Sequence, residues 1–252
     1  MIEVEDLAVS RGGRTVLQGC SFSLREGGIL AILGRNGIGK TSLLSVLVGT
    51  LAPDRGTCRI DGRAGYVPQL FNVPFSYSVM DIALMGRAAK IGLFGAPRRQ
   101  DYAAVRRLLD MMGIADLEEQ TFNTLSGGQR QLVMIAQALA SDCRVLILDE
   151  PCSALDYKNQ GIVIDLLHRL SRDHGLTIVF TTHAPQHAIE VASDVLLIGG
   201  RDSFVNGRVE TVLTAENLTD LYDVRIARAE FAGSGSFTFA PMLRQDRRDI
   251  AR

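Results

Sequence analysis

Hydrophobic residues recur at near-alternate positions at the start of the chain and then form a continuous run. Apolar side chains fall at near-alternate spacing over residues 2–9, a turn signal follows at 11–14, and residues 16–24 are predicted to return as a second strand. Residues 29–33 are apolar without a break, which is typical of a strand buried on both faces of a sheet. The opening segment is therefore predicted to be β-structure that leads into a buried sheet.

Helical periodicity takes over in the middle of the chain. Residues 40–48 carry an apolar stripe on one helical face, and residues from about 79 to 140 also follow helical spacing, interrupted by a loop at 92–97. Further strands are predicted at 58–60, 65–67, 145–148, 177–181 and 195–198, with a helix near 158–172. This order predicts an α/β fold with a parallel-sheet core, an antiparallel β lobe and an inserted helical subdomain. The segment 227–252 gives no readable pattern, and its charged end at 244–252 is expected to be frayed.

The composition of the 252 residues excludes or disfavours several classes of protein. Hydrophobic residues make up 46% and charged residues 22%, an ordinary balance for a globular chain that excludes a disordered one. The net charge of -1 argues against a nucleic-acid-binding protein, and no apolar run reaches the ~18 residues of a membrane-spanning helix. The acidic first residues do not resemble a signal peptide, so we expect the protein to stay in the compartment where it is made. The four cysteines form no CxxC pair, which disfavours a zinc site or a disulfide framework.

A glycine-rich loop follows the buried strand and opens the first predicted helix. Its residues fit the P-loop pattern GxxxxGK[ST]: Gly34, Arg35, Asn36, Gly37, Ile38, Gly39, Lys40 and Thr41. The backbone N–H groups of such a loop form a nest for an anion at the helix N-terminus, and glycines permit close approach. We therefore predict a nucleotide site of the P-loop NTPase type, in which Lys40 faces the β- and γ-phosphates and the Thr41 hydroxyl binds Mg²⁺.

Two carboxylates follow another predicted buried strand. Asp149 and Glu150 come directly after residues 145–148, at the carboxyl end of a parallel strand, where ligands bind in sheets of this kind. We interpret Asp149 as a Mg²⁺ ligand acting through water and Glu150 as the general base that polarises the attacking water. Alone, the pair is equally consistent with two solvated turn residues. Together with the phosphate loop, it predicts a hydrolysis site.

A second pair of glycines lies at the start of a later predicted helix. Ser126 is a good N-cap, and Gly127, Gly128 and Gln129 follow it. Capping alone does not account for two glycines in a first helical turn, because glycine weakens a helix. They are accounted for if the backbone contacts a ligand, and a helix N-terminus favours an anion. The chain is therefore predicted to carry two phosphate-binding surfaces.

These motifs occur in the order found in ATP-binding cassette (ABC) ATPases, which the chain resembles over about residues 2–222. Six ordered motifs carry the resemblance: the phosphate loop, Gln69, residues 125–129, Asp149 with Glu150, residues 153–156, and His183. It implies an ABC ATP-binding domain at 1–222 with its helical subdomain at about 75–140. A partly ordered C-terminal extension is implied at 223–252. The implied ligands are ATP and Mg²⁺, held by the phosphate loop together with Ser42.

The resemblance also implies a dimer and roles for three further residues. Two copies pair head to tail, so that residues 126–129 of one copy close on the ATP held by Lys40 of the other, and a twofold interface makes both sites equivalent. Gln69 resembles the residue that contacts Mg²⁺ or water and moves with a membrane partner. His183 resembles the switch histidine that contacts the γ-phosphate. Arg11 stands where an aromatic residue usually stacks on adenine, so either its guanidinium plane stacks there or the base is loosely held.

The resemblance is strongest to importer subunits. Residues 75–87 resemble the ATPases of importers for iron-siderophore, haem, vitamin B12 and molybdate, and residues 67–87, 180–183 and 215–219 are most similar to the molybdate/tungstate member. This implies an ATPase that works with a transmembrane permease and a substrate-binding protein at the cytoplasmic face of the cell (inner) membrane. The alternative class is an ABC ATPase outside transport, which remodels or releases a protein complex.

Several other side chains are consistent with either a structural or a functional role. A group of apolar residues is either core or a groove for a short permease helix: Phe71, Phe75, Tyr77, Val79, Ile82 and Met85. Cys152 is expected to be an inert buried thiol; the alternative is a reachable thiol whose thiolate form is favoured by Lys40 and a helix N-terminus. Three histidines match no motif and are interpreted as solvated or structural: His168, His174 and His187.

Overall fold

The computed structural model describes residues 1–69, 75–92, 95–233 and 235–243, and in these ranges the strands form three sheets. The strands are β1 (Ile2–Arg11), β2 (Arg14–Leu24), β3 (Ile29–Gly34), β4 (Arg55–Ile60), β5 (Ala64–Val67), β6 (Val145–Leu148), β7 (Thr177–Thr182), β8 (Asp194–Ile198), β9 (Phe204–Arg208), β10 (Ile226–Glu230) and β11 (Phe237–Pro241). All strands predicted from the hydrophobic pattern are confirmed, with ends that differ by up to three residues. Strands β9, β10 and β11 were not predicted, because their residues alternate between apolar and polar only weakly.

Six strands form the central sheet in the order β5-β6-β7-β3-β8-β9. The first five are parallel, and β9 pairs antiparallel with β8 at one edge. All six residues of β3 are buried, which matches its uninterrupted apolar sequence. The carboxyl ends of β3, β5, β6 and β7 share one edge of the sheet, so the polar residues that follow these strands are brought together there.

A separate antiparallel sheet, in the order β2-β1-β4, forms the predicted β lobe. Its first strand breaks strict alternation, since the buried residues Val4 and Leu7 are three positions apart. A β-bulge between them absorbs the extra residue, and Asp6 in the bulge has a φ of 46°. The bulge lets both apolar side chains face the same core.

Along the described part of the chain, each helix lies between two strands. They are α1 (Lys40–Val48), α2 (Val79–Met85), α3 (Ala88–Ile91), α4 (Arg99–Met111), α5 (Gly127–Ala140), α6 (Tyr157–His174), α7 (Pro185–Val191), α8 (Val209–Val212) and α9 (Ala215–Tyr222). Helices α2 to α5 are inserted between β5 and β6, and both α2 and α4 pack on α5. This confirms the inserted helical subdomain of the predicted fold; its limits at about 75 and 140 stay a prediction.

The inserted block is held together by local caps and one buried ion pair. Ser78 caps α2 in a reciprocal arrangement with Asp81, which satisfies backbone N–H groups at the start of the helix. Arg87 Nε donates to Asp101 Oδ1 at 2.6 Å, and both side chains are largely buried. The pair joins the end of α2 to the start of α4.

The central sheet separates two hydrophobic cores. One face packs against the helical block, α6 and α7, and the other packs against α1 and the antiparallel lobe. In β3 the alternation is strict, with Ile29, Ala31 and Leu33 in the first core and Leu30 and Ile32 in the second. The phosphate loop follows β3 and therefore begins at the boundary of both cores.

The C-terminal part carries more structure than its sequence indicated. Strands β10 and β11 pair as an antiparallel hairpin, and the Arg228 guanidinium lies 4.0 Å from the centre of the Phe237 ring. The domain boundary proposed at 222/223 stays a prediction, and the tail at 244–252 lies outside the described residues. In the described ranges no helix is long and apolar enough to cross a membrane.

The contact between α2 and α5 depends on the absence of a side chain at Gly86. A Cβ there would overlap the backbone carbonyl of Gln137 and lie 3.0 Å from Cβ of Ala140. We therefore expect Gly86→Ala to lower the free energy of unfolding by about 1–3 kcal/mol, the usual cost of overpacking. The measurement is the midpoint of urea unfolding.

Gly161 provides the matched control. It lies on the exposed side of α6, and a Cβ there meets open space. Gly161→Ala should raise the free energy of unfolding by about 0.5–1 kcal/mol, because alanine favours the helix and restricts the unfolded chain. A Gly86→Ala protein as stable as the wild type would contradict the close approach of α2 and α5.

Candidate functional site

The loop between β3 and α1 has the backbone of an anion nest. Gly37 and Gly39 have φ angles of 77° and 115°, in the left-handed region that side chains disfavour. Gly39 is also the N-cap of α1, whose first N–H groups have no partner within the helix. A Cβ on Gly39 would lie 3.0 Å from Leu17 Cδ2. Both the backbone angle and the packing therefore require glycine at this point.

Lys40 is the first residue of α1, and its side chain folds back across the loop. The ammonium group donates to the carbonyl oxygens of Gly34 and Arg35 at 2.8 and 3.2 Å. It also lies 3.5 Å from Glu150 Oε1, and the Lys40 side chain is only 6% exposed. A buried ammonium group requires such partners. These contacts hold the positive charge at the mouth of the nest.

Three polar side chains join the loop to the edge of the central sheet. Thr41 Oγ1 donates to Asp149 Oδ2 at 2.8 Å, and Thr181 Oγ1 donates to Asp149 Oδ1 at 2.7 Å. Both carboxylate oxygens of Asp149 are therefore satisfied, although this residue is buried. The sheet places Asp149 after β6 and Thr181 near the end of the neighbouring strand β7, while Thr41 comes from α1.

The backbone of Glu150 turns sharply after β6. Its φ of 48° is uncommon for a residue other than glycine. The Glu150 N–H group donates to Thr181 Oγ1 at 2.8 Å, and its carbonyl accepts the N–H of Ser153 at 3.1 Å. These two bonds stabilise the turn, which directs the carboxylate towards the phosphate loop.

The Glu150 carboxylate is surrounded by groups from three other segments. Gln69 Nε2, after β5, donates to Glu150 Oε2 at 2.8 Å. His183 Nδ1, after β7, lies 3.8 Å from the same oxygen, while Lys40 approaches the other oxygen. The three residues predicted to be catalytic, Gln69, Glu150 and His183, are therefore brought together by the ends of three parallel strands.

A pocket of about 320 Å³ lies over the phosphate loop. Its lining includes residues from β1, β2, the loop, α1 and the segments after β5 and β6: Arg11, Val16, Asn36, Gly37, Gly39, Lys40, Thr41, Ser42, Gln69 and Glu150. Arg35 contributes its carbonyl to Lys40, and Ile38 packs against the core on the antiparallel side. Arg11 is exposed at the end of β1, at the rim expected to receive the base.

The segment 126–129 lies away from this pocket, at the start of α5. Ser126 Oγ accepts the N–H of Gln129 at 3.3 Å, and Gln129 Oε1 accepts the N–H of Ser126 at 3.0 Å, which is a complete capping box. In the described part of the chain, none of the four residues lines the pocket around Lys40, but Gly127 lines a neighbouring pocket together with Gln69 and Glu150. The predicted second surface therefore lies outside the pocket that holds Lys40, on the far side of two of the predicted catalytic residues.

The two glycines at the start of α5 also have a packing role that the sequence analysis did not identify. A Cβ on Gly128 would overlap the amide side chain of Asn159, and a Cβ on Gly127 would lie 3.4 Å from Leu155 Cδ2. Asn159 itself bonds to Asp156, the N-cap of α6. The start of α5 thus packs directly on the start of α6.

Several positioning residues were missed by the sequence analysis. Thr181 lies in the predicted buried strand 177–181. A hydroxyl group at the carboxyl end of an apolar strand indicates a polar contact at that edge of the sheet, and this signal was present in the sequence. The Tyr222 hydroxyl group donates to the carbonyl of His183 at 3.0 Å, and burial raises the pKa of this phenol. His187 is structural, as one of its two interpretations stated, because it bonds to Thr182 and to Gln160.

Cys152 is an inert buried thiol in this conformation. Its side chain is 3% exposed, and burial raises its pKa to about 12. The thiol form therefore predominates at neutral pH. The alternative interpretation, a reachable thiolate, is wrong for this arrangement of the chain.

The apolar group after Gln69 is divided between core and surface. Val79 and Ile82 are fully buried, whereas Phe75 is 65% and Met85 39% exposed. Tyr77 packs against the core and meets the Phe75 ring edge-on at 6.1 Å. Phe71 lies outside the described residues. Only Phe75 and Met85 of this group are therefore available as exposed apolar surface among the described residues.

Known proteins resemble this chain over most of its length. A family model described as ABC transporter matches residues 17–153. The molybdate import ATP-binding protein MolC of Haemophilus influenzae is 42% identical, and the match covers 91% of both chains. The ferric enterobactin transport ATP-binding protein FepC of Escherichia coli is 30% identical, over 95% of this chain and 93% of that protein.

The fold is likewise shared with a solved transporter. An inward-facing structure of a metal-chelate type ABC transporter contains a chain that is 41% identical and superposes with a TM-score of 0.91, over 96% of both chains. The sequence match spans the phosphate loop and both carboxylates, and the structural match extends into the C-terminal part. The chain belongs to the ABC transporter family, as one of its ATP-binding proteins.

Proposed function

We propose that this protein is the ATP-hydrolysing subunit of an importer whose cargo is an oxyanion of the molybdate or tungstate class. The observation that carries the hydrolytic part is the convergence of Lys40, Thr41 and Glu150 on one pocket, with Asp149 hydrogen-bonded to Thr41 directly behind it. The cargo is supported by the relative named for molybdate import, at 42% identity, whereas the relatives named for iron chelates are 30–33% identical. The solved metal-chelate type transporter, at 41% identity, keeps a metal chelate as the competing cargo class. These relatives are all named for transport, which favours an importer over an ATPase that releases a protein complex.

ATP is held by the residues of the phosphate loop in this proposal. The N–H groups at Gly37, Gly39 and the start of α1 surround the phosphates, and Ser42 and Asn36 line the pocket beside them. Lys40 must change partners, because its ammonium group is bonded to two loop carbonyls and lies near Glu150. The phosphates replace Glu150 as the counter-charge of Lys40. Arg11 reaches the base through its guanidinium plane.

The oxygen atoms that meet beside the loop suit Mg²⁺. Thr41 Oγ1 and Asp149 Oδ2 are 2.8 Å apart, and Mg²⁺ prefers hydroxyl, carboxylate and phosphate oxygens. Gln69 can add its amide oxygen, because its Nε2 donates to Glu150. When bound, the cation neutralises charge on the transferred phosphate. Thr181 keeps Asp149 in place, since it donates to the carboxylate oxygen that Thr41 does not contact.

Glu150 is the proposed general base. In this structure Lys40 lies near one of its oxygens and Gln69 donates to the other. Once Lys40 turns to the phosphates, the first oxygen is free to accept a proton from water. Gln69 continues to orient the carboxylate, and His183, 3.8 Å from it, is placed to contact the γ-phosphate. The base therefore loses its cationic partner only when nucleotide has taken Lys40.

Two copies are proposed to complete the site. In the segment 126–129 the capping box uses the N–H groups of Ser126 and Gln129 and leaves those of Gly127 and Gly128 for a ligand, yet no residue of the segment lines the pocket around Lys40 in the described residues. A twofold arrangement would bring it onto the ATP of the second copy and would do so twice. This accounts for two phosphate-facing surfaces on one chain.

The permease is proposed to dock at the exposed residues after Gln69. Phe75 and Met85 are exposed apolar residues, and Phe75 follows Gln69 by six positions along the chain, so a helix seated on them would be linked to the site by a short stretch of chain. The subunit would then sit at the cytoplasmic face of the inner membrane, attached through the permease. A substrate-binding protein would deliver the cargo from the other side.

The cargo can be tested in the assembled system. The subunit would be purified with its permease, reconstituted in liposomes and supplied with the system's binding protein. ATPase activity should rise when the binding protein is loaded with molybdate or tungstate. Stimulation by a ferric siderophore instead, with no response to the oxyanions, would move the protein to the iron-chelate class.

Glu150→Gln should slow ATP hydrolysis by about 10²–10⁴-fold while ATP still binds, because only the base is removed. Steady-state phosphate release and calorimetric ATP binding provide the two measurements. Glu26→Gln, in the exposed turn at the opposite end of β3, is the matched control and should keep the wild-type rate. Hydrolysis at the wild-type rate in Glu150→Gln would exclude this carboxylate as the base.

A pair of variants at position 41 tests the Mg²⁺ assignment. Thr41→Val keeps the shape but removes the hydroxyl group, and it should lower Mg²⁺-supported hydrolysis on the order of 10- to 100-fold, as for other altered metal sites. Thr41→Ser keeps the hydroxyl group and should retain most of the activity. The rate is measured as a function of Mg²⁺ concentration. Equal Mg²⁺ dependence in the two variants would refute the role of Thr41.

Phe75→Glu tests the docking surface. Charge on this exposed ring position should abolish co-purification with the permease, while basal ATPase activity stays within about twofold of wild type because the side chain does not pack in the core. Val205→Glu, at an exposed apolar position on β9, should leave both unchanged. Loss of basal activity together with permease binding would indicate misfolding rather than a docking role.

A further inference from the structure

A chain of hydrogen-bonded side chains begins at the end of β7 and leads to the loop before α6. Thr182 Oγ1 lies 3.0 Å from His187 Nδ1, and His187 Nε2 lies 3.2 Å from Gln160 Oε1. Gln160 Nε2 donates to the carbonyl of Leu155 at 2.9 Å. We call Thr182, His187 and Gln160 the relay.

When His187 is neutral, every bond of the relay has a single allowed direction. Gln160 Nε2 faces a carbonyl and donates, so Gln160 Oε1 accepts from the Nε2–H group of His187. In a neutral imidazole the other nitrogen is then an acceptor, so the Thr182 hydroxyl group donates to His187 Nδ1. Reversing the glutamine amide would set two oxygen atoms against each other at Leu155. The relay therefore specifies one tautomer of a neutral His187.

The surroundings of His187 favour that neutral form. Burial lowers the pKa of the imidazole, positive charge on His183 would lower it further, and Glu190 has the opposite, smaller effect. A neutral ring is the form that can accept at one nitrogen and donate at the other. The hydrogen-bond pattern and the electrostatic setting agree.

The relay connects the two surfaces that are proposed to face phosphate. At one end, Thr182 Oγ1 accepts the N–H of Ala184 at 3.1 Å, which fixes the turn that carries His183. At the other end, the Leu155 side chain lies against the start of α5, since a Cβ on Gly127 would be 3.4 Å from its Cδ2. These bonds are part-buried and each has its partner, and satisfied hydrogen-bond networks of this kind resist separate movement of their ends.

We infer that His187 is a positioning residue that couples the His183 turn to the segment 153–156 and, through Leu155, to residues 126–129. This inference rests on the proposed function, in which His183 faces the ATP of its own chain and residues 126–129 face the ATP of a second copy. A movement of His183 on nucleotide binding is transmitted along the relay to the surface that meets the second copy. His187 itself touches no substrate.

Two substitutions at position 187 break different halves of the relay. His187→Asn keeps an acceptor near the position of Nδ1, for Thr182, and loses the bond to Gln160. His187→Gln reaches towards Gln160 and loses the bond to Thr182. Each should lower kcat about 5- to 20-fold, the change that corresponds to one or two net hydrogen bonds, with ATP affinity and thermal stability close to wild type.

Gln160→Glu and His168→Gln complete the set. Gln160→Glu keeps the size of the side chain but places a carboxylate against the Leu155 carbonyl, so it should lose kcat to the same extent. His168→Gln lies on the exposed side of α6 and outside the relay, and it should keep the wild-type kcat. The readouts are kcat and KM for ATP, calorimetric ATP affinity and the thermal midpoint.

The outcomes separate the inference from the proposed function. A wild-type kcat in either His187→Asn or His187→Gln would overturn the coupling role. A fall of kcat, ATP affinity and thermal midpoint together in all three relay variants would also overturn it, because His187 would then serve packing alone. Absence of ATP hydrolysis in the wild-type protein would instead overturn the proposed function.

Discussion

The Thr181 hydroxyl group is the contact on which the geometry of the nucleotide pocket depends. It donates to Asp149 and accepts from the N–H of Glu150, so one buried atom fixes two consecutive acidic residues. This bond stabilises the uncommon left-handed backbone at Glu150. With the backbone turned in this way, the two carboxylates separate: Asp149 faces Thr41, and Glu150 faces Lys40 and Gln69. Parallel pairing of β6 and β7 sets the register that makes the bond possible.

Most of the architecture could be predicted because its signals are local. The continuous apolar run of β3 and the helical stripe of α1 locate the central sheet and the phosphate loop without knowledge of distant contacts. The bulge at Asp6 and the hairpin of β10 and β11 could not be located in this way. Their register is set by long-range pairing, and in the two hairpin strands only Ile226 is buried, so burial imposes no period on their sequence.

The phosphate-binding part of the candidate site could be predicted, because the spacing of its glycines and Lys40 along the chain is itself the motif. What the spacing could not show is which groups contact each other before nucleotide binds, because these contacts join residues from different strands. The Lys40–Glu150 pair and the packing of Gly128 on Asn159 are both of this kind. For the same reason the sequence does not distinguish a solvated His187 from a structural one, because its partners Thr182 and Gln160 lie on other elements.

The alternation of β3 between two cores has a thermodynamic consequence. The helical side and the antiparallel side share the sheet, but among the described residues no buried side chain belongs to both cores. Lesions on opposite sides should therefore change the free energy of unfolding additively, since they share no partners.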